Sequence, residues 1–196
     1  MGIEIDLHRR QWEAEQSSSH PTTNATGLVM VFSGAGKGKS TAAQGLAWRS
    51  LYRKKRVGVV QFMSGHEMSA ASQTLGKHAL CDFKIYGTGC SWKTETRLAD
   101  TAEMTAAWGE ARRMLDNPEF DLVVLDDINW VLKHHYLSLD NVLHALQKKR
   151  RALHVALTGR FAPWELIDFA DLATDMRDLK AGAKDNNQPM LAGIHY

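Results

Sequence analysis

Cysteine is scarce in this chain. Two residues, Cys81 and Cys90, are too few for a disulfide framework and lack the CxxC spacing of a zinc site, so a reducing compartment is expected. No stretch reaches the roughly 18 consecutive apolar residues of a membrane span. The opening "MGIEIDLHRRQWEAEQ" carries charges where a signal peptide needs an apolar centre, and Asp6 breaks the myristoylation pattern. A cytoplasmic protein without a membrane partner is expected. Charge of one sign is also missing: 24 basic and 22 acidic residues leave a net charge of +2, which gives no reason to expect nucleic acid. The short basic runs at 54–56 and 148–151 fall near expected helix ends, where they complement the helix dipole. Nine histidines are scattered without HExxH spacing, and the adjacent His134 and His135 would point about 100° apart on a helix, which argues against a zinc site.

What remains is enough apolar residue, 44% of 196, for one core. Residues 1–26 read as a polar arm, helical over 4–16, and a Ser/Thr/Asn linker; 27–196 read as one domain. Within it, β-branched runs at 28–32, 56–62, 82–86, 121–127 and 152–159 alternate with helical patterns at 40–53, 95–115, 138–149 and 163–172. Such alternation predicts an α/β fold, a mostly parallel sheet with helices on both faces. The last segment, "PMLAGIHY", is expected to add an edge strand.

The first strand runs into "SGAGKGKST" (33–41). Gly34, Gly36 and Gly38 let the backbone curl with its N–H groups around an anion, and the helix beginning near Lys39 adds its positive end. The loop reads as an ATP phosphate cradle of Gly34, Ala35, Gly36, Lys37, Gly38, Lys39, Ser40 and Thr41. Ser33 replaces the first glycine of the usual pattern. A P-loop also needs an acidic partner, and "LVVLDD" supplies Asp126 and Asp127 at the carboxyl edge of the sheet. Magnesium is therefore expected on Ser40 and one of these aspartates. Arg160, after another buried strand, is a candidate phosphate or ribose contact. Five of the six tryptophans have helical apolar neighbours and read as packing residues. Trp92, in the glycine-flanked "GTGCSW", does not.

In order across 28–179, "GAGKGKSTAAQGLAWRS", "VGVVQF", "GTGCSW", "ADTAEMTAAW", "DLVVLDDINWVL" and "LTGRFAPWELIDFADLATDM" resemble the P-loop ATP:corrinoid adenosyltransferases. The resemblance implies a RecA-like P-loop fold. It also implies transfer of the 5′-deoxyadenosyl group of ATP to the Co(I) centre of a reduced corrinoid, with release of triphosphate. Lys37, Lys39 and Asp127 would then be the catalytic residues, with magnesium on Ser40, Asp126 and Asp127, and Arg49 and Gln61, at family-like positions, would lie beside the site. No general base is needed, because the nucleophile has no proton to lose. Trp92 and position 90 would face the corrinoid, though Cys90 stands where the family carries an aromatic, and Asp127 where it usually carries Glu. The family is typically dimeric, with the N-terminal segment covering an active site, and it needs a reductant for Co(I), so a homodimer and a reductase partner are implied. The alternative is a non-catalytic ATP- or corrinoid-binding paralogue with a regulatory or carrier role, suggested by Cys90 and by altered stretches after residues 62 and 179.

Overall fold

The computed structural model describes residues 26–63, 70–88, 90 and 93–180. Among the described residues six strands form a single sheet: β1 (Val29–Ser33), β2 (Val57–Gln61), β3 (Cys81–Ile85), β4 (Leu122–Asp126), β5 (His154–Thr158) and β6 (Leu172–Asp175). All pairings are parallel, in the order β3-β2-β4-β5-β1-β6. Every residue of "LVVLD" in β4 is buried, as a central strand covered on both faces requires. The helices are α1 (Lys39–Tyr52), α2 (Ala70–Gly76), α3 (Arg97–Asp116), α4 (Ile128–Lys133), α5 (Leu139–Lys148) and α6 (Trp164–Phe169).

Two apolar layers flank the sheet. On one face, Ala43, Ala47 and Leu51 recur every four residues along α1, and with Leu75 they pack onto Val57, Val59 and Val124. Small alanines let the phosphate-loop helix lie close to the strands. On the other face, Met104, Ala107, Ala111 and Met114 of α3 join Val142 and Leu146 of α5, Leu166 of α6 and the alternate strand residues Val60, Val123 and Leu125. Strand β5 separates the loop-bearing β1 from the acid-bearing β4, and this is the RecA-like α/β arrangement expected above.

Two features depart from the sequence reading. The helix expected over 163–172 ends at Phe169, and Leu172–Asp175 becomes an edge strand on β1. All four of its residues are exposed, so no buried alternation marks it; backbone pairing alone holds it. Short helices α2 and α4 went unread because each spans fewer than two full turns. The arm helix at 4–16 and the strand in "PMLAGIHY" lie outside the described residues.

Candidate active site

Strand β1 delivers the chain to the carboxyl edge, where Gly34 (φ 97°) and Gly38 (φ 105°) take left-handed conformations that side chains resist. Lys39 opens α1 and is only 9% exposed. Its ammonium donates to Gly36 O at 2.5 Å, closing the loop on itself. Burial lowers its pKa most, Arg160's charge lowers it further, and Asp127 and Asp178 act in the opposite sense. Lys39 is thus a partly desolvated cation that feels the charges of Arg160, Asp127 and Asp178. Lys37 and Ala35, by contrast, stand exposed on the crest.

The glycines also serve a contact that the motif does not announce. Gly36 N–H donates to Met176 O at 2.7 Å, and a Cβ at Gly34 would fall 2.3 Å from both Asp175 Oδ1 and Met176 O. The segment leaving β6 therefore lies along the phosphate loop and pairs one of the amides expected to face the anion.

Asp126 ends β4 and is 4% exposed. Thr158 Oγ1 donates to its Oδ1 at 2.6 Å, and Ser40 hydrogen-bonds the same carboxylate. Burial raises the Asp126 pKa and these two hydroxyls oppose the rise. Asp127 follows in a left-handed conformation (φ 63°), its N–H donating to Thr158 Oγ1 at 2.9 Å. Burial first and repulsion from Asp126 second push its carboxyl up to about 7, against the pull of Lys39 and Arg160. A serine hydroxyl touching one carboxylate, with a second alongside, is a hard-oxygen donor set suited to magnesium. Among the described residues no cluster of three or more His, Cys, Asp or Glu offers a competing metal site.

Arg160 follows Gly159 (φ 127°) at the end of β5, and its charge reaches both Lys39 and Asp127. The edge therefore gathers Lys39, Ser40, Asp126, Asp127 and Arg160, all singled out from sequence. It adds Thr158 and Asn129, which were not, and both are fully buried. The only linear signal for Thr158 is a hydroxyl closing an otherwise apolar strand. Gln61 is in register with Asp126 and lies at this edge, bonded to Ser72 Oγ and Met63 O. Arg49 does not: it lines a cleft with Asp121 and His154 at the opposite strand ends, because α1 carries it away from the loop.

Residues 25–196 match the family model described as ATP:corrinoid adenosyltransferase BtuR/CobO/CobP. The chain belongs to the ATP:corrinoid adenosyltransferase family. It is 39% identical over 170 residues to the corrinoid adenosyltransferase CobA of Salmonella typhimurium, covering 87% of this chain and 86% of that one. The Escherichia coli K12 corrinoid adenosyltransferase is 36% identical over the same shares, and that of Pseudomonas aeruginosa 39% identical over 81% and 78%. Among solved structures, the RadB recombinase superposes with a TM-score of 0.46 at 16% identity, over 80% of this chain and 77% of that one.

Of the two residues that the family pattern points toward the corrinoid, Trp92 lies outside the described residues. Cys90 is half-buried, packs against the core and closes a turn onto Gly87 O at 3.2 Å. Burial, then the charge and hydrogen bond of Asp100, push its thiol up to about 12. Its thiol is thus held in the neutral form beside Asp100. Nearby, Arg97 Nη2 donates to His134 O at 2.9 Å and its guanidinium lies 4.7 Å from the Tyr136 ring centroid. Tyr136, Phe161 and Trp164 in turn line a cleft of about 840 Å³ beginning one residue beyond Arg160.

Proposed function

We propose that the protein is an enzyme that transfers the 5′-deoxyadenosyl group of ATP to the Co(I) centre of a reduced corrinoid and releases triphosphate. The observation that carries this reading is the convergence of Lys39, Ser40, Asp126, Asp127 and Arg160 on one sheet edge, in a chain of this family. As the cobalt lone pair forms the bond to C5′, the C5′–O bond breaks and its electrons leave on the phosphate. Charge therefore grows on the triphosphate. Lys39, partly desolvated and close enough to Arg160 to feel its charge, stabilises that charge more strongly than a solvated cation would, and Arg160 adds a second positive charge beside it. Lys37, free at the crest, adds a mobile cation. The loop amides and the Ser40 end of α1 orient the phosphates.

Ser40, Asp126 and Asp127 would hold magnesium, and the ion would supply positive charge to the phosphates. Thr158 keeps Asp126 oriented by donating to the oxygen that faces it. Since no proton leaves the nucleophile, the site needs no base, and none of these carboxylates is asked to act as one.

The corrinoid occupies the cleft of Tyr136, Phe161 and Trp164, and the family resemblance adds Cys90 and Trp92 to its contacts. Arg97 supports this placement by tying the start of α3 to the wall of that cleft. A homodimer, a reductase supplying Co(I) and a cytoplasmic location complete the reading. No helix among the described residues is long and apolar enough to cross a membrane.

The decisive experiment is anaerobic. Protein, magnesium, ATP and chemically reduced cob(I)alamin are mixed, and adenosylcobalamin is followed by absorbance alongside triphosphate. One triphosphate per adenosylated corrinoid is expected. ATP binding without either product would replace this reading with the non-catalytic paralogue, and phosphate release without corrinoid would indicate an ordinary ATPase.

A further inference from the structure

Asn129 is fully buried in the first turn of α4, two residues after Asp127. Its Nδ2 donates to Gly159 O at 3.1 Å and to Phe32 O at 3.4 Å. Both partners are carbonyl oxygens, so the amide must present its NH2 to them. The other end of the carboxamide, Oδ1, is buried with no hydrogen-bond partner among the described residues. A buried orphan acceptor costs on the order of 1–3 kcal/mol, so stability alone does not favour asparagine here.

The geometry explains what the side chain does. In the sheet order, β5 lies between β4 and β1. Neighbouring strands are about 4.8 Å apart, so a residue following β4 must reach over the end of β5 to touch the end of β1. Asn129 does this: Gly159 O belongs to the residue before Arg160, and Phe32 O lies two residues before Gly34. The packing leaves no slack, since a Cβ at Gly159 would lie 3.0 Å from Asn129 Cβ and 3.2 Å from its backbone nitrogen. One carboxamide thus pins the acidic turn, the Arg160 loop and the entrance of the phosphate loop to one another.

We propose that Asn129 is a positioning residue that sets the placement of Arg160 relative to the Lys39 phosphate loop, and through it the grip on triphosphate. The proposal rests on the phosphate cradle of the reading above and not on the corrinoid. Lys39 and Arg160 already feel each other's charge, so a small shift of one changes how both meet an anion.

The test is a double-mutant cycle read by binding of magnesium tripolyphosphate to the whole chain. Asn129→Leu keeps the volume and removes both donors. It should weaken binding about 10-fold, the size typical of coupled neighbours, while Asn129→Thr, which keeps one hydroxyl donor, should recover most of the loss. In an Arg160→Ala background the Asn129→Leu change should cost less than about 2-fold, because the group being positioned is gone. Thermal midpoints identify folded samples; if the leucine variant does not fold, Asn129→Ala replaces it in the cycle. Equal losses in both backgrounds, or affinity unchanged by either substitution, would overturn the proposal. Failure of the unmodified protein to bind tripolyphosphate would overturn it together with the cradle. Tripolyphosphate binding without adenosyl transfer would remove only the corrinoid reading and leave the Asn129 cycle to be judged by its own result.

Discussion

Thr158 Oγ1 lies 2.6 Å from Asp126 Oδ1, the hydroxyl donating, and the same oxygen accepts the amide proton of Asp127 at 2.9 Å. One hydroxyl at the end of β5 thereby orients a buried carboxylate and the turn after it. Its loss should be felt at both.

Thr158→Val preserves shape, removes one of the two hydroxyl donors to Asp126 and leaves the Asp127 amide without its acceptor. The expected cost is about 1–3 kcal/mol of stability, with weaker binding of magnesium and ATP. Denaturant titration and calorimetry check the two effects separately; a variant matching the unmodified protein in both would remove Thr158 from the site.

Lys39→Ala should lower turnover by on the order of 10²-fold or more, as loss of a preorganised donor does elsewhere, and nearly abolish ATP binding. Lys37→Ala should cost less, because Lys37 is exposed and unconstrained where Lys39 is buried and hydrogen-bonded. Single-turnover rates and ATP titrations of both variants give the comparison. A larger effect at Lys37 would reverse their roles.

Gly34→Ala should destabilise the fold. The position has φ 97°, and the added Cβ would lie 2.3 Å from the Met176 carbonyl oxygen and Asp175 Oδ1. The left-handed backbone alone costs about 1–2 kcal/mol, and separating the segment after β6 from the loop adds to it. A thermal midpoint within a degree of the unmodified protein would show that this segment moves away freely.

The raised pKa of Asp127 has a definite sign. Unfolded, the carboxyl titrates near 3.8; folded, at about 7. Between these values the native state holds a proton that the unfolded chain has lost. The group's contribution to stability is complete below the lower value and is lost as pH rises toward the upper one. In metal-free buffer, Asp127→Asn should gain on the unmodified protein in thermal midpoint from about pH 4 to about pH 7. Parallel profiles across that window would contradict the burial of this carboxyl.

Neither cysteine should behave as a reactive thiol. Burial pushes Cys81 up to about 11, and burial with Asp100 pushes Cys90 up to about 12. Iodoacetamide at mildly alkaline pH should label the native protein slowly and the denatured one quickly. Rapid labelling of Cys90 in the native state would mean that its thiol is free of Asp100 and available to a cobalt centre.

The linear signals were strong wherever the physics is local. A buried strand, an alternating-glycine loop and a helix opening at Lys39 are contiguous, so "VMVFSGAGKGKST" displayed the phosphate cradle in one reading, and "LVVLDD" the acidic turn. Residue type and spacing alone determined that this chain would bury β-branched strands in a parallel sheet and place cations, a hydroxyl and carboxylates at its carboxyl edge. What the tertiary structure decided are contacts across large sequence separations: Thr158 with Asp126 at 32 residues, Asn129 with Phe32 at 97. The same holds for the Met176 segment lying on Gly36, the exposed β6 that owes its form to β1, and the removal of Arg49 to the far end of α1. Such pairings follow from strand order and helix length, which set which ends meet. No local propensity encodes them, since a threonine, an asparagine or an arginine has the same intrinsic preferences whether its partner is a carboxylate, a carbonyl or water.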